Sequence, residues 1–445
     1  MLGQIAHRGE SGSKIIERDG ITLGAVWSEN EAEPAPQGLE QRAAWDGICP
    51  TLPEPSALVQ AREPFVLSAA KRGGVFLARD PLGVCPLYYG RTEDSTLCFA
   101  SEVKALLEVT YDVQEFPAGR WYDHQEGFQT FFEMKPGLDP GRDPQRVAAE
   151  LRLRLEQAVS RQIKGNVVGC WLSGSLSSHA LAALARRCVG ELHTFAVGTP
   201  GTPDLEYAQQ VASLLQTRHH EITVTLDEVQ APLPEVIWHL ESFDVPLVRS
   251  SVCRYLAAER AAGHVEMMLF DEGAEELFGA KSHLQARGPG GRAGELVERV
   301  QSLYRGALQR VDRSASAQGL VAQVPFLDLA LVEYAISIPA EFKLRRNGTT
   351  VDKWILRQAL AGVLPDELLH PPDETLWQGA GVGFLLARSA EDQITDVEYT
   401  CERDLPNGWR LQSKEALMYY RIFRECFGEM EDLSWMGRVE EASKV

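Results

Sequence analysis

Residues 167–182 read VVGCWLSGSLSSHALA, and this stretch decides the fold. Residues 167–172 form an apolar run of the kind that makes a buried strand. The run breaks into Ser173-Gly174-Ser175-Leu176-Ser177-Ser178, and an alanine- and leucine-rich helix is expected over 179–187. A strand, a loop of small residues and a helix N-terminus together make an anion cradle. Glycine and serine let the backbone approach a ligand, while unpaired N–H groups and the helix dipole face it. A phosphate is the natural guest. Serine and glycine are also common at any helix N-cap, so an ordinary strand-to-helix turn is the competing reading.

Downstream of this stretch, strands and helices alternate. Apolar strands are expected at 193–198, 221–225 and 265–270, with helices at 205–215, 229–241 and 251–261 between them. Such alternation implies a parallel, doubly wound sheet. Ligands then sit beyond the carboxyl ends of the strands, near a switch in strand order. The loops at 173–178, 198–204 and 270–276 would face one crevice. Residues 284–295 read as a mobile loop, and helices dominate to the end.

Upstream, residues 146–163 carry Val147, Leu151, Leu155 and Val159 at fourfold spacing, the stripe of an amphipathic helix. The polar, Pro/Gly-rich segment 135–144 reads as a linker. It divides a domain over 1–136 from one over 137–445. The first is mostly β. Short runs at 21–27, 64–67 and 74–78 are separated by turn residues, and 29–55 is expected to be loop. Ser101 is expected to cap a short helix. These pieces suggest a β-sandwich-like layer.

With 445 residues the chain is long enough for two or three domains. A net charge of −19 disfavours nucleic acid and anionic membranes as partners, since both need basic surface. No apolar run approaches the roughly 20 residues that span a bilayer, and the first residues, MLGQIAHRGE, lack a signal-peptide core. Eight cysteines are scattered without CxxC spacing, which suggests neither zinc nor a disulfide framework. A cytoplasmic location is expected.

The motifs along the chain resemble those of the glutamine-dependent asparagine synthetases and their β-lactam-synthetase-like relatives. The resemblance rests on the ARDPLG and PLYYG segments, FASEVKAL, HTFAVGTPGTPDLEYAQQVA, HHEITVT, ESFDVPLVRSS, EGAEELFG, VPFLD and DKWILRQAL. It implies an N-terminal glutaminase domain of the N-terminal-nucleophile type, followed by an α/β synthetase domain of the ATP-pyrophosphatase type. In the family, ATP adenylates a carboxylate, and glutamine-derived ammonia attacks the adenylate. ATP and Mg2+ are therefore the implied cofactors.

Several positions depart from the family pattern. The nucleophilic cysteine after the initiator methionine is Leu2 here, and leucine has no nucleophilic atom. The Asn-Gly-Glu segment that holds glutamine has no counterpart between Ala25 and Phe65. The phosphate loop Ser-Gly-Gly-Leu-Asp-Ser is Ser173-Gly174-Ser175-Leu176-Ser177-Ser178, so a magnesium-binding aspartate is Ser177. A hydroxyl is a poor substitute for a carboxylate on a hard cation. The second magnesium aspartate corresponds to Glu275. The Ser-Gly that ends the preceding strand is Phe270-Asp271, whose bulk and charge would crowd or repel a nucleotide. An arginine before VPFLD is Gln323, and a lysine-bearing stretch is replaced by residues 370–375.

Two chemical positions are kept. Glu272 matches the glutamate that handles protons as the amine attacks, and Lys353 matches the lysine that stabilises charge on the adenylate and pyrophosphate. Leu172 and Val197 match residues flanking adenine, and both suit core strands in any case. Asp244 and Arg249 match a segment lining the substrate side. Three readings follow. One is an ATP-dependent amide ligase using ammonia or another amine on a small-molecule carboxylate, without glutaminase activity. Another is a pseudoenzyme, a binding or regulatory subunit that partners an active paralogue. The third is a different ligand or acyl-transfer reaction on the same scaffold, with the altered loop adapted to it. Homodimerisation is expected by analogy alone.

Overall fold

The computed structural model describes residues 1–18, 20–27, 43–47, 55–135, 141, 143–279, 292–347, 349–370 and 380–439. The loops expected at 29–55 and 284–295, the linker at 135–144 and the substituted stretch 370–375 lie wholly or partly outside them. The chain divides into two compact units. The first comprises residues 1–135 with 432–436, and the second comprises 136–431 with 437–445.

The first unit is antiparallel. Its strands are β1 Gly12–Arg18, β2 Ile21–Trp27, β3 Ala43–Gly47, β4 Phe65–Lys71, β5 Gly74–Arg79, β6 Tyr88–Arg91, β7 Leu97–Ala100, β8 Val113–Glu115, β9 Arg120–Asp123 and β10 Gly127–Thr130. They form a five-stranded sheet in the order β10-β9-β5-β4-β3, a three-stranded sheet β7-β6-β8, and the β1-β2 hairpin. Alternation along β4 explains the layering, because successive side chains point to opposite faces. Phe65, Leu67 and Ala69 pack with Leu58, Phe76 and Trp121 on one face. Val66 and Ala70 pack with Leu23, Leu87 and Phe116 on the other. The central sheet is therefore covered on both sides, as a β-sandwich requires. The short helix at Val103–Leu106 is preceded by Glu102, so Ser101 does not occupy the capping position expected of it.

The second unit is built on five parallel strands: β11 Val167–Trp171, β12 Glu191–Gly198, β13 Arg218–Thr223, β14 Met267–Leu269 and β15 Val321–Gln323. Their spatial order is β13-β12-β11-β14-β15. The chain winds outward from β11 in one direction, then returns and winds in the other. The switch in strand order falls between β11 and β14, which is the doubly wound arrangement the alternation implies. β15 is the one strand of this sheet that periodicity did not suggest; three residues are too few to show a period. The Pro144–Gln162 helix precedes the sheet and buries all four residues of the expected stripe, Val147, Leu151, Leu155 and Val159.

The sheet core is continuous. Val168, Cys170, Trp171, Leu172, Phe195, Val197, Met268, Leu269 and Phe270 are all at most 2% exposed. A near-continuous apolar run is what a parallel strand covered on both faces requires. Among the described residues no helix is long and apolar enough to cross a membrane.

Candidate functional site at the switch in strand order

β11 and β14 are neighbours, so the loops leaving their carboxyl ends meet. The first is Ser173–Ser178, which opens the Leu176–Ala185 helix. That helix begins three residues before the sequence pattern suggests, because Ser175 is its N-cap and accepts from Ser178 N at 3.2 Å. The serines form a closed network. Ser173 N donates to Ser178 Oγ at 3.1 Å, and Ser178 Oγ lies 3.1 Å from Ser173 O and 3.0 Å from Ser175 O. Gly174 is required by close approach: a Cβ there would lie 2.6 Å from Asp204 Oδ1, at the start of the Pro203–Leu215 helix.

The second loop supplies Asp271. Ser177 Oγ donates to Asp271 Oδ2 at 2.7 Å, and Ser175 Oγ donates to the same oxygen at 3.1 Å. The charge expected to repel a nucleotide is thus seated against the loop that lacks its own aspartate. Phe270 is fully buried, and its N–H donates to Gln323 O at 2.9 Å, so its backbone belongs to the sheet. The three loops expected to share a crevice do converge, through Gly174 with Asp204 and Ser177 with Asp271.

Gly273 follows in a left-handed conformation, φ 92°, and starts the short Ala274–Phe278 helix. Glu275 lies in its first turn and forms an ion pair with Lys353 Nζ at 2.6 Å. Lys353 itself has φ 52°, a conformation costly for a residue with a side chain and concentrated at functional sites. Burial works against its charge. Glu275, and then Asp352 and Asp271, outweigh that and hold the amine above its ordinary value. Lys353 is therefore an ammonium near two carboxylates of the site.

Glu272 is buried, and its Oε1 accepts from two guanidiniums, Arg254 Nη2 and Arg310 Nη2, the latter at 3.1 Å. Its Oε2 is buried with no hydrogen-bond partner among the described residues. A carboxylate oxygen left without a partner in the interior is expensive unless something arrives to use it. Arg254 also stacks over Trp171, 5.5 Å from the ring centroid.

The remaining expected residues are placed elsewhere. Leu172 and Val197 are core residues of the sheet. Asp244 is the N-cap of the Val245–Ala262 helix, accepting from Leu247 N at 3.2 Å. Arg249 pairs in fork geometry with Glu415, with one contact of 2.7 Å, and Tyr419 OH donates to the same carboxylate. Both Asp244 and Arg249 thus have structural employment on the Val245–Ala262 helix.

Sequence reading missed Arg254, Arg310 and His179. The arginines carry no local signal, since they lie on separate helices and meet only at Glu272. His179 is fully buried behind the loop, with Nε2 3.0 Å from Ser173 O and Nδ1 3.3 Å from Leu368 O. Burial pushes its pKa down to about 4, so it is neutral at physiological pH. A neutral imidazole donates from one nitrogen only, and both neighbours are acceptors. The shorter contact, to Ser173 O, is the better hydrogen bond, and it ties the helix to the phosphate loop.

The chain is similar to known proteins over most of its length. The family model described as asparagine synthase matches residues 150–292 and 281–443, and that of the glutamine amidotransferase domain matches residues 64–141. A probable glutamine-hydrolysing asparagine synthetase of Schizosaccharomyces pombe is 36% identical, over 82% of this chain and 72% of its own length. Asparagine synthetase B of Escherichia coli is 32% identical, over 82% of this chain and 69% of its own length. Asparagine synthetase 1 of Saccharomyces cerevisiae is also 32% identical, over 82% and 72% respectively. A solved NMN synthetase from Francisella tularensis aligns with 66% of this chain and 98% of its own, at 13% identity and a TM-score of 0.28, too low to carry an argument.

Proposed function

Because the chain belongs to the asparagine synthase family, we propose that it is an ATP-dependent, AMP-forming amide ligase that joins ammonia or another amine to an adenylated carboxylate. The observation that carries this reading is Asp271. Its carboxylate receives the Ser177 hydroxyl at 2.7 Å, so the loop keeps an acidic oxygen although position 177 has none.

The residues fit a magnesium nucleotide. Carboxylate and hydroxyl oxygens are the donors a hard cation takes, and Asp271 and Glu275 supply the charged ones. The loop backbone at Gly174 and the N-terminus of the Leu176–Ala185 helix suit phosphate oxygens. Leu172 and Val197, at the carboxyl ends of their strands, are the candidates to flank the base. MgATP, when bound, supplies the adenylyl group that activates the carboxylate.

The chain's own residues have separable tasks. Lys353, kept charged by its acidic neighbours, counters negative charge as it grows on phosphate oxygens. Glu275 holds Lys353 and must release or share it when a nucleotide enters. Glu272 Oε1 is fixed by Arg254 and Arg310, which leaves Oε2 to take a proton from an attacking amine. Asp244 and Arg249 enter only indirectly, by holding the Val245–Ala262 helix that carries Arg254.

The glutaminase half of the family's chemistry is not part of this proposal. Leu2 lies in a short 3-10 helix, and a Cβ on Gly24 would come within 2.8 Å of its side chain. An aliphatic side chain at that point cannot attack an amide. Ammonia or an amine from solution is then the nitrogen donor.

A second reading, a binding subunit without turnover, draws on a different feature. The site is satisfied within itself, with Asp271 on the serines and Lys353 on Glu275. Pyrophosphate release separates the two. With MgATP, ammonium and a panel of carboxylates beginning with aspartate, the ligase reading expects carboxylate-dependent pyrophosphate. MgATP that raises the melting temperature while no panel member releases pyrophosphate would favour the binding subunit.

A further inference from the structure

A cluster of three histidines lies apart from the phosphate loop. His193 is in β12, level with Gly169 of β11, four residues before Ser173. At about 3.3 Å per residue it lies on the order of 13 Å back along the strands. His220 is in the neighbouring edge strand β13, and His264 follows the Val245–Ala262 helix. Their rings gather in one stack. The His193 and His220 centroids are 5.2 Å apart, those of His220 and His264 4.4 Å, and those of His193 and His264 5.4 Å.

We infer that His193, His220 and His264 form a binding site for one divalent transition-metal ion of the zinc class. Each ring presents one nitrogen, and the three nitrogens lie within 4.8 Å of one another. His193 Nδ1 and His220 Nε2 are 3.0 Å apart. Tetrahedral zinc with nitrogens at about 2.0–2.1 Å spaces them roughly 3.3–3.4 Å apart, so the His193–His220 pair opens by a few tenths of an ångström and the exposed His264 ring closes by up to about 1.4 Å to admit the ion. Three imidazoles favour zinc, copper or nickel over magnesium or calcium. His264 is exposed, which leaves the fourth position to water.

The hydrogen bonds prepare the ligands. His193 Nε2 lies 2.7 Å from Glu191 Oε1, and Glu191 Oε2 is held by Arg218 at 3.0 Å. His193 Nε2–H donates to the carboxylate, which leaves the Nδ1 lone pair facing the cluster. This is the carboxylate–histidine arrangement that fixes the tautomer of metal ligands. Without an ion, His220 Nε2–H donates to that lone pair. When an ion enters, the His220 proton moves to Nδ1, and no net proton is lost. Arg260 is the cation that opposes an ion at this place, and Glu191 is the anion that offsets it. An ion here would clip β12 and β13 to the end of the Val245–Ala262 helix.

The test is a Co2+ titration of the untagged full-length chain at pH 7.5. The expected result is intense visible absorption of the tetrahedral type that saturates at one ion per chain and is displaced by Zn2+. Magnesium-type oxygen ligands at Asp271 and Glu275 would give only weak bands. His264→Ala, exposed and therefore tolerant of change, abolishes the absorption and weakens Zn2+ binding at least tenfold. Glu191→Gln, a positioning change, weakens it about 10–100-fold while keeping the band shape. Absence of saturable uptake overturns the inference. So does one-to-one uptake that survives unchanged in both His264→Ala and His220→Ala, with folding verified by circular dichroism.

Discussion

Ser177 in the second unit and Leu2 in the first each stand where the family resemblance implies a different residue, and their surroundings differ. At Ser177 the loop that follows β14 brings up a carboxylate: Asp271 Oδ2 stands 2.7 Å from the hydroxyl. Leu2 itself offers no nucleophilic atom. His7 Nε2 and Arg8 Nη1 instead meet Glu102, at 3.0 and 2.8 Å, and Lys104 pairs with the same carboxylate. The difference is chemical and topological. A carboxylate ligand to a metal can come from any element that reaches a coordination position, and the switch in strand order sets β14 directly beside β11. A nucleophile must occupy one point in space, so a side chain on another element does not replace it.

The largest effect that sharpens this contrast is expected at Lys353. Lys353→Met removes the ammonium and keeps the volume, and carboxylate-dependent pyrophosphate release should fall about 10²–10³-fold, roughly 3–4 kcal/mol of transition-state stabilisation. A loss below threefold in initial-rate assays would remove Lys353 from the machinery.

His179 makes a stability prediction. Its folded pKa, about 4, lies below its unfolded value of 6.5, so the unfolded chain binds more protons between them. Its contribution to stability is complete above pH 6.5 and declines as pH falls toward 4, by about 3 kcal/mol in all. Urea melts of the wild type and His179→Leu should converge over this window. Parallel curves would show that the histidine is not buried as a neutral group.

Gly174→Ala should cost about 1–3 kcal/mol and weaken MgATP, because the added methyl must push Asp204 or the loop aside. Unchanged melting would mean that the loop has room to spare. The smallest effect is expected at the other end of the comparison. Leu2→Ala should leave ammonium-dependent activity within about twofold of the wild type, and neither protein should release glutamate from glutamine. Glutamate release by the wild type would break the contrast at its weaker side.

Much of the fold could be read from periodicity alone. The apolar run at 167–172 and the shorter one within 193–198 predict strands, and the stripe on 146–163 predicts a buried helix. Element edges were less legible, as with the Leu176–Ala185 helix, whose start is set by a serine cap. The candidate site was readable wherever its residues are neighbours in sequence, as at 173–178 and 270–276. At Asp271 charge alone reads as repulsion, and its serine partners lie on a different loop, where no local pattern shows them. Arg254, Arg310 and the histidine cluster are products of tertiary contact between separated elements. No local pattern announces them.

In the proposed ligase, Asp271 supplies the acidic oxygen that Ser177 lacks. The most direct measurement is calorimetric MgATP binding to Asp271→Gly, to Ser177→Asp and to the double variant. The account predicts that Asp271→Gly weakens binding at least about tenfold, and that Ser177→Asp in the same chain restores most of it. Wild-type affinity in Asp271→Gly alone would contradict it.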